Sequence, residues 1–312
     1  VKVQHGDPTL WDLGGRPHAI TIGVYDGVHR GHLHVLERVR EAAASRGADV
    51  GLVTFDMHPL TVITPEHTPR LLTSLERKLE LFEEAGVDAV GVLPFGNGAR
   101  GMTPGEFAEI VLVAAFCTVV VVVGADFRFG KDRAGDGETL RALGEAMGFE
   151  VEVVPLVDGN GPLSSTRIRE LVAAGDVAAA AERLGRRFEL RGRVVRGSGR
   201  GARIGIPTAN LQVGHGIAVP RRGVYAVRVM ARGGDGHDAV LNIGIRPTFG
   251  GTRETIEVHL LDFDRDVCGS DLRVQFLDRI RDERRFSSPE ELVRQIHSDI
   301  EAARRIFAGD PS

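Results

Sequence analysis

The chain has 312 residues, with 39 Lys and Arg against 43 Asp and Glu, a formal net charge of −4. That balance supplies no basic field to gather nucleic acid, and 42% apolar content suits a soluble globular protein long enough for two domains. Cys117 and Cys268 stand far apart, with no CxxC and no Cys/His ligand spacing, which argues against a disulfide framework or a zinc site and fits a reducing compartment.

The opening residues, VKVQHGDPTLW, carry no apolar signal region, and the longest apolar run, 110–124, is broken at Cys117-Thr118. The expectation is a cytoplasmic enzyme with no membrane partner. Residues 19–24 (AITIGV) read as the first strand, ending beside Gly23. A helix opens around His32, carries Leu33, Leu36, Val39 and Ala43 at helical spacing, and stops at Gly47. Between them His29-Arg30-Gly31-His32 puts two imidazoles at the first turn, where free N–H groups and the helix dipole favour an anion. Gly31 lets a phosphate approach the backbone, and two imidazoles suit a crowded, negatively charged transition state. A bare HxxH is equally a pair of surface histidines; strand, glycine turn, HxGH and amphipathic helix in that order favour the phosphate reading.

Residues 48–56 read as a second strand, ending in Asp56-Met57-His58-Pro59. SLERKLELFEEAG is a helix stopped by Gly86, and VDAVGVLPF a third strand. Thr103-Pro104-Gly105-Glu106 is a capping box leading into TVVVVVG, a strand covered on both faces. GETLRALGEAMG and FEVEVVP add another helix and a fifth strand. The alternation predicts an α/β doubly wound parallel sheet, whose ligands sit beyond the carboxyl ends of the strands. Ser164-Ser165-Thr166, with Arg169 one turn later, is either a plain N-cap or a site for β- and γ-phosphates.

Composition shifts after Gly185. Arg186, Arg187, Arg191, Arg193, Arg196, Arg200 and Arg203 crowd a stretch whose one acid is Glu189, without the interleaved aromatics that nucleic-acid stacking needs. Gly197-Ser198-Gly199-Arg200-Gly201 followed by Gly205-Ile206-Pro207-Thr208-Ala209-Asn210 reads as a phosphate cradle. Thr208 and Asn210 offer neutral oxygens to a magnesium ion carried by ATP. Residues 223–231, 237–244, 255–263 and 271–280 alternate as strands of a small antiparallel β-barrel. A long C-terminal helix opens at Ser288-Pro289-Glu290-Glu291, with Val293, Ile296, Ile300, Ala303 and Phe307 as the stripe that covers the barrel. Alternation separates Glu257 from Ile256 and Val258; the carboxylate is either a solvated face or the base of a phosphoryl transfer.

GVYDGVHRGH, FDMHP, VVGADFRFG and LSSTRIRELVAAGDV resemble the adenylyltransferase half of the prokaryotic bifunctional riboflavin kinase/FAD synthetases. The PTAN loop, GVYAV, NIGIRPTF, IEVHLLDF and FLDRIRDERRF resemble the kinase half. Tyr25, Met57 and Cys268 depart from the family's usual Phe, Pro and Tyr. The resemblance implies an adenylyltransferase domain over 1–185 and a riboflavin kinase domain over 186–312. It also implies two reactions: riboflavin and ATP giving FMN and ADP, then FMN and ATP giving FAD and pyrophosphate. In the first domain His29 and His32 would be catalytic, with Gly23, Asp26, Asp126, Ser165, Thr166 and Arg169 on the ATP side and His58 and Phe129 bordering the flavin. In the second, Gly199, Gly201 and Gly205 would hold phosphate, Thr208 and Asn210 magnesium-ATP, and Glu257 would be the base on the ribityl 5′-hydroxyl. Asn242 to Phe249 would form a flap over the substrates. Two alternatives stand beside this reading: one live domain with one retained as scaffold, or a flavin-binding sensor without turnover.

Overall fold

A computed structural model describes residues 1–96, 99–155, 158–159, 161–197, 201, 205–231, 234–248 and 251–310. The chain divides into two compact units, Val1–Ser165 and Thr166–Ser312.

The first unit is built on a parallel six-stranded sheet. Its strands are β1 (Lys2–His5), β2 (His18–Ile22), β3 (Asp49–Phe55), β4 (Ala89–Leu93), β5 (Thr118–Gly124) and β6 (Glu150–Val154), in the order β1-β4-β3-β2-β5-β6. The valine run of β5 shows why the sheet is wound on both faces. Val121 and Val123 enter one core with Ile20, Leu112 and Phe116, while Val120 and Val122 enter the other with Leu36, Leu52 and Phe82. Helix α1 (Arg30–Arg46) follows β2 and closes at Gly47 in the left-handed region. Helix α2 (Leu60–Ile63) is a single turn beyond β3, and α3 (Leu75–Glu84) starts from the Ser74 cap. The predicted Thr103 capping box opens α4 (Pro104–Phe107), but the helix continues as a π-helix over Ala108–Ala115. Helix α5 (Gly137–Met147) precedes β6, and a two-residue ribbon, β7 (Asp158–Gly159) with β8 (Gly161–Pro162), follows it.

Helix α6 (Ser165–Ala174) leads into the second unit, where α7 (Val177–Leu184) precedes a closed antiparallel barrel. Its strands are β9 (Glu189–Val195), β10 (Ala209–Val213), β11 (Gly223–Ala231), β12 (Gly236–Thr248), β13 (Gly251–Leu260) and β14 (Asp271–Arg281). The closed order is β10-β13-β12-β11-β14-β9, so no strand edge is left open. The last helix, α8 (Pro289–Ala308), packs Ile300, Ala303, Ile306 and Phe307 on Val224, Ala226 and Val240 of the barrel. Within that apolar contact, the buried Asp299 receives both arms of Arg281 at 2.8 and 2.7 Å.

Apart from the short β7–β8 ribbon, three strands were not predicted. The four residues of β1, KVQH, carry too little apolar pattern to read as a strand. Segments β9 and β10 looked like a basic linker and a loop. In the structure Glu189 of β9 takes Arg191 and Arg273 as partners at 3.0 and 2.7 Å, so those arginines neutralise a carboxylate that is 8% exposed.

Candidate active sites

In the first unit the chain leaves β2 through Gly23 and passes Tyr25, Gly27 and Val28, all with positive φ, before entering α1. A Cβ on Gly23 would stand 2.8 Å from the Tyr25 ring, so the glycine is what lets that ring fold back under the strand end. Tyr25 is buried, its hydroxyl 2.7 Å from Thr21 Oγ1, and burial pushes its phenol above the ordinary range.

His29 is the N-cap of α1: its Nδ1 accepts the His32 backbone N–H at 3.3 Å. A ring that accepts at Nδ1 carries its proton on Nε2, which makes the opposite edge a donor suited to a phosphate oxygen. The His32 ring lies on the His29 ring with centroids 3.6 Å apart and planes 16° apart, and Tyr25 backs it at 4.7 Å. Gly31 has the His29 ring 3.2 Å from where its Cβ would be, so a side chain there would displace the ring. The two histidines are thus a packed pair at the amino end of a long helix.

Around them gather the ends of the neighbouring strands. His58 lies in the turn after β3, its Nδ1 accepting the Leu60 N–H at 3.2 Å, and Asp126 is exposed in the turn after β5. Ser165 donates its hydroxyl to the Asp26 carbonyl at 2.8 Å. Thr166 and Arg169 follow on α6 and are counted with the second unit.

Two placements differ from expectation. Asp26, expected on the ATP side, is 2% exposed, and its carboxylate accepts the backbone N–H of Leu72 at 2.9 Å and of Thr73 at 3.2 Å. It braces the turn against the 71–73 segment, and a phosphate would be repelled by it. Asp26→Ala strips two buried amides of their acceptor and is expected to cost the first unit about 2–4 kcal/mol. Trp11, the one tryptophan of the chain, sits in this unit's core, so a lower denaturant midpoint in its fluorescence is the check. Phe129, expected to border the flavin, is 6% exposed and packed among core side chains. Phe127 stacks on it at 5.4 Å and stays partly open. Phe127 is therefore the ring of this loop with a face to offer; a period of two would put Phe127 and Phe129 on the same side, so the sequence carries no signal that separates them.

Sequence reasoning also missed Lys78. It lies on α3 at 7% exposure and donates to the carbonyls of Val24 (3.0 Å) and Phe55 (3.5 Å) and to Thr54 Oγ1 (3.2 Å).

The second unit brings three of its expected residues into one row. Asn210 of β10 pairs with Glu257 of β13, and Glu257 pairs with Asn242 of β12, so the three project from one face of adjacent strands. Ile256 and Val258 point the other way into the barrel, 7% and 0% exposed. A Cβ on Gly197 would collide with the Asn210 amide, and one on Gly201 would stand 3.2 Å from Thr208 Oγ1. These two glycines thus let the loop backbone lie close against Asn210 and the 206–208 segment. His259 Nδ1 meets the Pro207 carbonyl at 2.7 Å, fixing the segment that carries Thr208. Glu283 accepts the Ile245 N–H at 3.3 Å beside Asn242 and was not anticipated. Gly205 takes φ +80 in the loop; Gly199 and Phe249 lie outside the described residues.

A groove of about 550 Å³ in the second unit is lined by Arg228, His237, Asp238, Asp262, Arg304 and Phe307, none of them in the row. Its arginines are already paired, Arg228 with Asp238 and Arg304 with Asp262. Among the described residues no helix is long and apolar enough to cross a membrane, and no three His, Cys, Asp or Glu cluster as metal ligands.

Comparison with known proteins gives two family models, FAD synthetase over residues 14–167 and riboflavin kinase over 184–307. The bifunctional riboflavin kinase/FMN adenylyltransferase of Escherichia coli K12 is 38% identical over 289 residues, 92% of each chain. That of Pseudomonas fluorescens is 40% identical over 290 residues, again 92% of each. Among solved structures, one from Streptococcus pneumoniae titled a macrolide-efflux protein superposes with a TM-score of 0.89 at 30% identity, covering 97% of this chain and 99% of that one.

Proposed function

The chain belongs to the bifunctional riboflavin kinase/FMN adenylyltransferase family, and we propose how its own residues divide the two reactions. The enzyme makes flavin cofactors in two ATP-dependent steps, riboflavin to FMN and FMN to FAD. We assign adenylyl transfer to residues 1–185 and phosphoryl transfer to residues 186–312. The observation that carries the assignment is that each half holds its own set of polar groups suited to phosphate chemistry: the His29/His32 pair at the α1 terminus, and the Asn210–Glu257–Asn242 row of the barrel.

In the adenylyl transfer an FMN phosphate oxygen attacks the α-phosphorus of ATP and pyrophosphate leaves. His29, His32 and the first N–H groups of α1 bind the phosphates and stabilise the charge of the crowded phosphorus. Ser165, Thr166 and Arg169 are assigned to the departing pyrophosphate. His58 and Phe127 are assigned to the flavin ring, with Asp26 as a brace. In the kinase reaction Glu257 takes the proton of the ribityl 5′-hydroxyl as that oxygen attacks the γ-phosphorus and ADP leaves. The Thr208 and Asn210 oxygens are hard, neutral donors close to the Glu257 carboxylate, which fits magnesium; bound with ATP, it would neutralise phosphate charge. A cytoplasmic setting is supported by both cysteines being free thiols.

The test is a chromatographic time course of the full chain with riboflavin, ATP and magnesium. FMN should appear first and then convert to FAD. FMN that accumulates unchanged would overturn the assignment for the first half, and bound flavin without product would overturn both.

A further inference from the structure

The turns that carry the first site are joined beneath it by one buried cation. The Lys78 ammonium has three protons and three acceptors: the Val24 carbonyl, the Phe55 carbonyl and the Thr54 hydroxyl. Val24 opens the turn that bears His29 and His32, and Phe55 ends β3 just before the turn that bears His58. The charged groups facing Lys78 are Asp26, from the first turn, and Asp56, from the second. Each carboxylate grips a further segment: Asp26 holds the amides of Leu72 and Thr73, and Asp56 accepts the Phe95 N–H at 3.0 Å. On its own helix, neighbouring Arg77 is taken up by Glu80 and Glu84. The segments that follow β2, β3 and β4 and the one that precedes α3 therefore meet at the set Asp26–Lys78–Asp56.

A buried ammonium between one buried and one exposed carboxylate is a poor source of stability, since an apolar residue of similar volume usually serves as well. Its effect is geometric. Resting on the assignment of adenylyl transfer to this site, we infer that Lys78 is a positioning residue for that reaction: its ammonium holds the roots of the His29/His32 turn and of the His58 turn at their working separation, and releases them when it loses its proton.

Burial pushes the Lys78 ammonium down to about 8, with Asp26 and Asp56 acting in the opposite direction. Below that pH the group is charged and all three bonds stand. Above it one proton and the attraction to both carboxylates are gone, so FAD formation falls as pH rises.

The experiment follows both reactions of the full chain between roughly pH 6 and 10, with FMN or riboflavin as the starting flavin. In the unaltered enzyme FAD formation should show an alkaline limb near pH 8 that FMN formation lacks. Lys78→Met should lower kcat for FAD formation roughly a hundredfold, with KM values little changed, and should flatten the limb. Lys78→Arg, charged throughout the range, should move the limb upward. A limb that keeps its midpoint in either variant overturns the proposal, as does Lys78→Met with undiminished kcat. Should Trp11 fluorescence show that Lys78→Met unfolds the first unit, the Lys78→Arg profile decides alone. An unaltered enzyme that converts no FMN to FAD at any pH would overturn the site assignment itself.

Discussion

Glu257→Ala is expected to stop FMN formation from riboflavin while conversion of supplied FMN to FAD continues at its normal rate. Loss of a general base lowers kcat by roughly a hundred- to ten-thousandfold, about 3–5 kcal/mol of barrier. The substitution should not disturb the fold. Glu257 stands on the face of β13 opposite Ile256 and Val258, and those two anchor the strand in the barrel. Its cross-strand neighbours Asn210 and Asn242 keep their backbone pairing whatever side chain occupies 257. Glu257→Gln separates proton transfer from shape, because the amide keeps the size and loses the basicity. Equal loss in both variants, with KM for ATP within about threefold of normal, is the signature of a base. Recovery in Glu257→Gln would make the residue a hydrogen-bonding contact. Steady-state rates from chromatographic product analysis, run separately from riboflavin and from FMN, decide between them.

The parts of this fold that were legible in the sequence are those where local chemistry and burial agree. The β2–α1 unit is one: a β-branched strand, a glycine turn, a histidine cap and an apolar stripe of Leu36, Val39 and Ala43 all require the same structure, and Gly47 ends it. The face on which Glu257 stands is another, since alternation along β13 assigns it. What alternation does not reveal is the partner strand. That Asn210, Glu257 and Asn242 come into line depends on barrel register, which closure fixes through contacts distant in sequence.

The residues that were misread or missed are polar groups whose partners are backbone atoms far along the chain. Asp26 looked like a ligand contact because an acid in a glycine turn beside a helix start has an obvious local use, and its true partners are amides 46 and 47 residues away. Lys78 was hidden in a helix rich in charge, SLERKLELFEE. It stands three residues after Leu75 and four before Phe82, on the apolar side of the helix. A lysine at such a position is the available signal, since an ammonium facing the core needs several oxygen partners. The π-helix over Ala108–Ala115 left no trace in composition, because its residues, AEIVLVAA, suit an α-helix equally well.

His32→Ala is expected to abolish FAD formation and leave the kinase untouched, so that FMN accumulates in a time course begun with riboflavin. Removing one preorganised donor at a charge-developing centre costs roughly a hundred- to a thousandfold in kcat, about 3–4 kcal/mol. His32 is a cleaner probe than its neighbour because of what each ring does structurally. His29 caps α1 through Nδ1, so His29→Ala removes a cap worth about 1 kcal/mol along with any catalytic contact. His32 lends only its backbone N–H to that cap, and alanine keeps the N–H. His29→Asn completes the comparison: asparagine caps a helix well and cannot place a second ring against His32. If the stacked pair is the catalytic unit, His29→Asn should regain stability over His29→Ala in Trp11-monitored unfolding and remain as slow in FAD formation. If His29→Asn regained the rate together with the stability, His29 would be a cap alone and His32 would carry the chemistry without it.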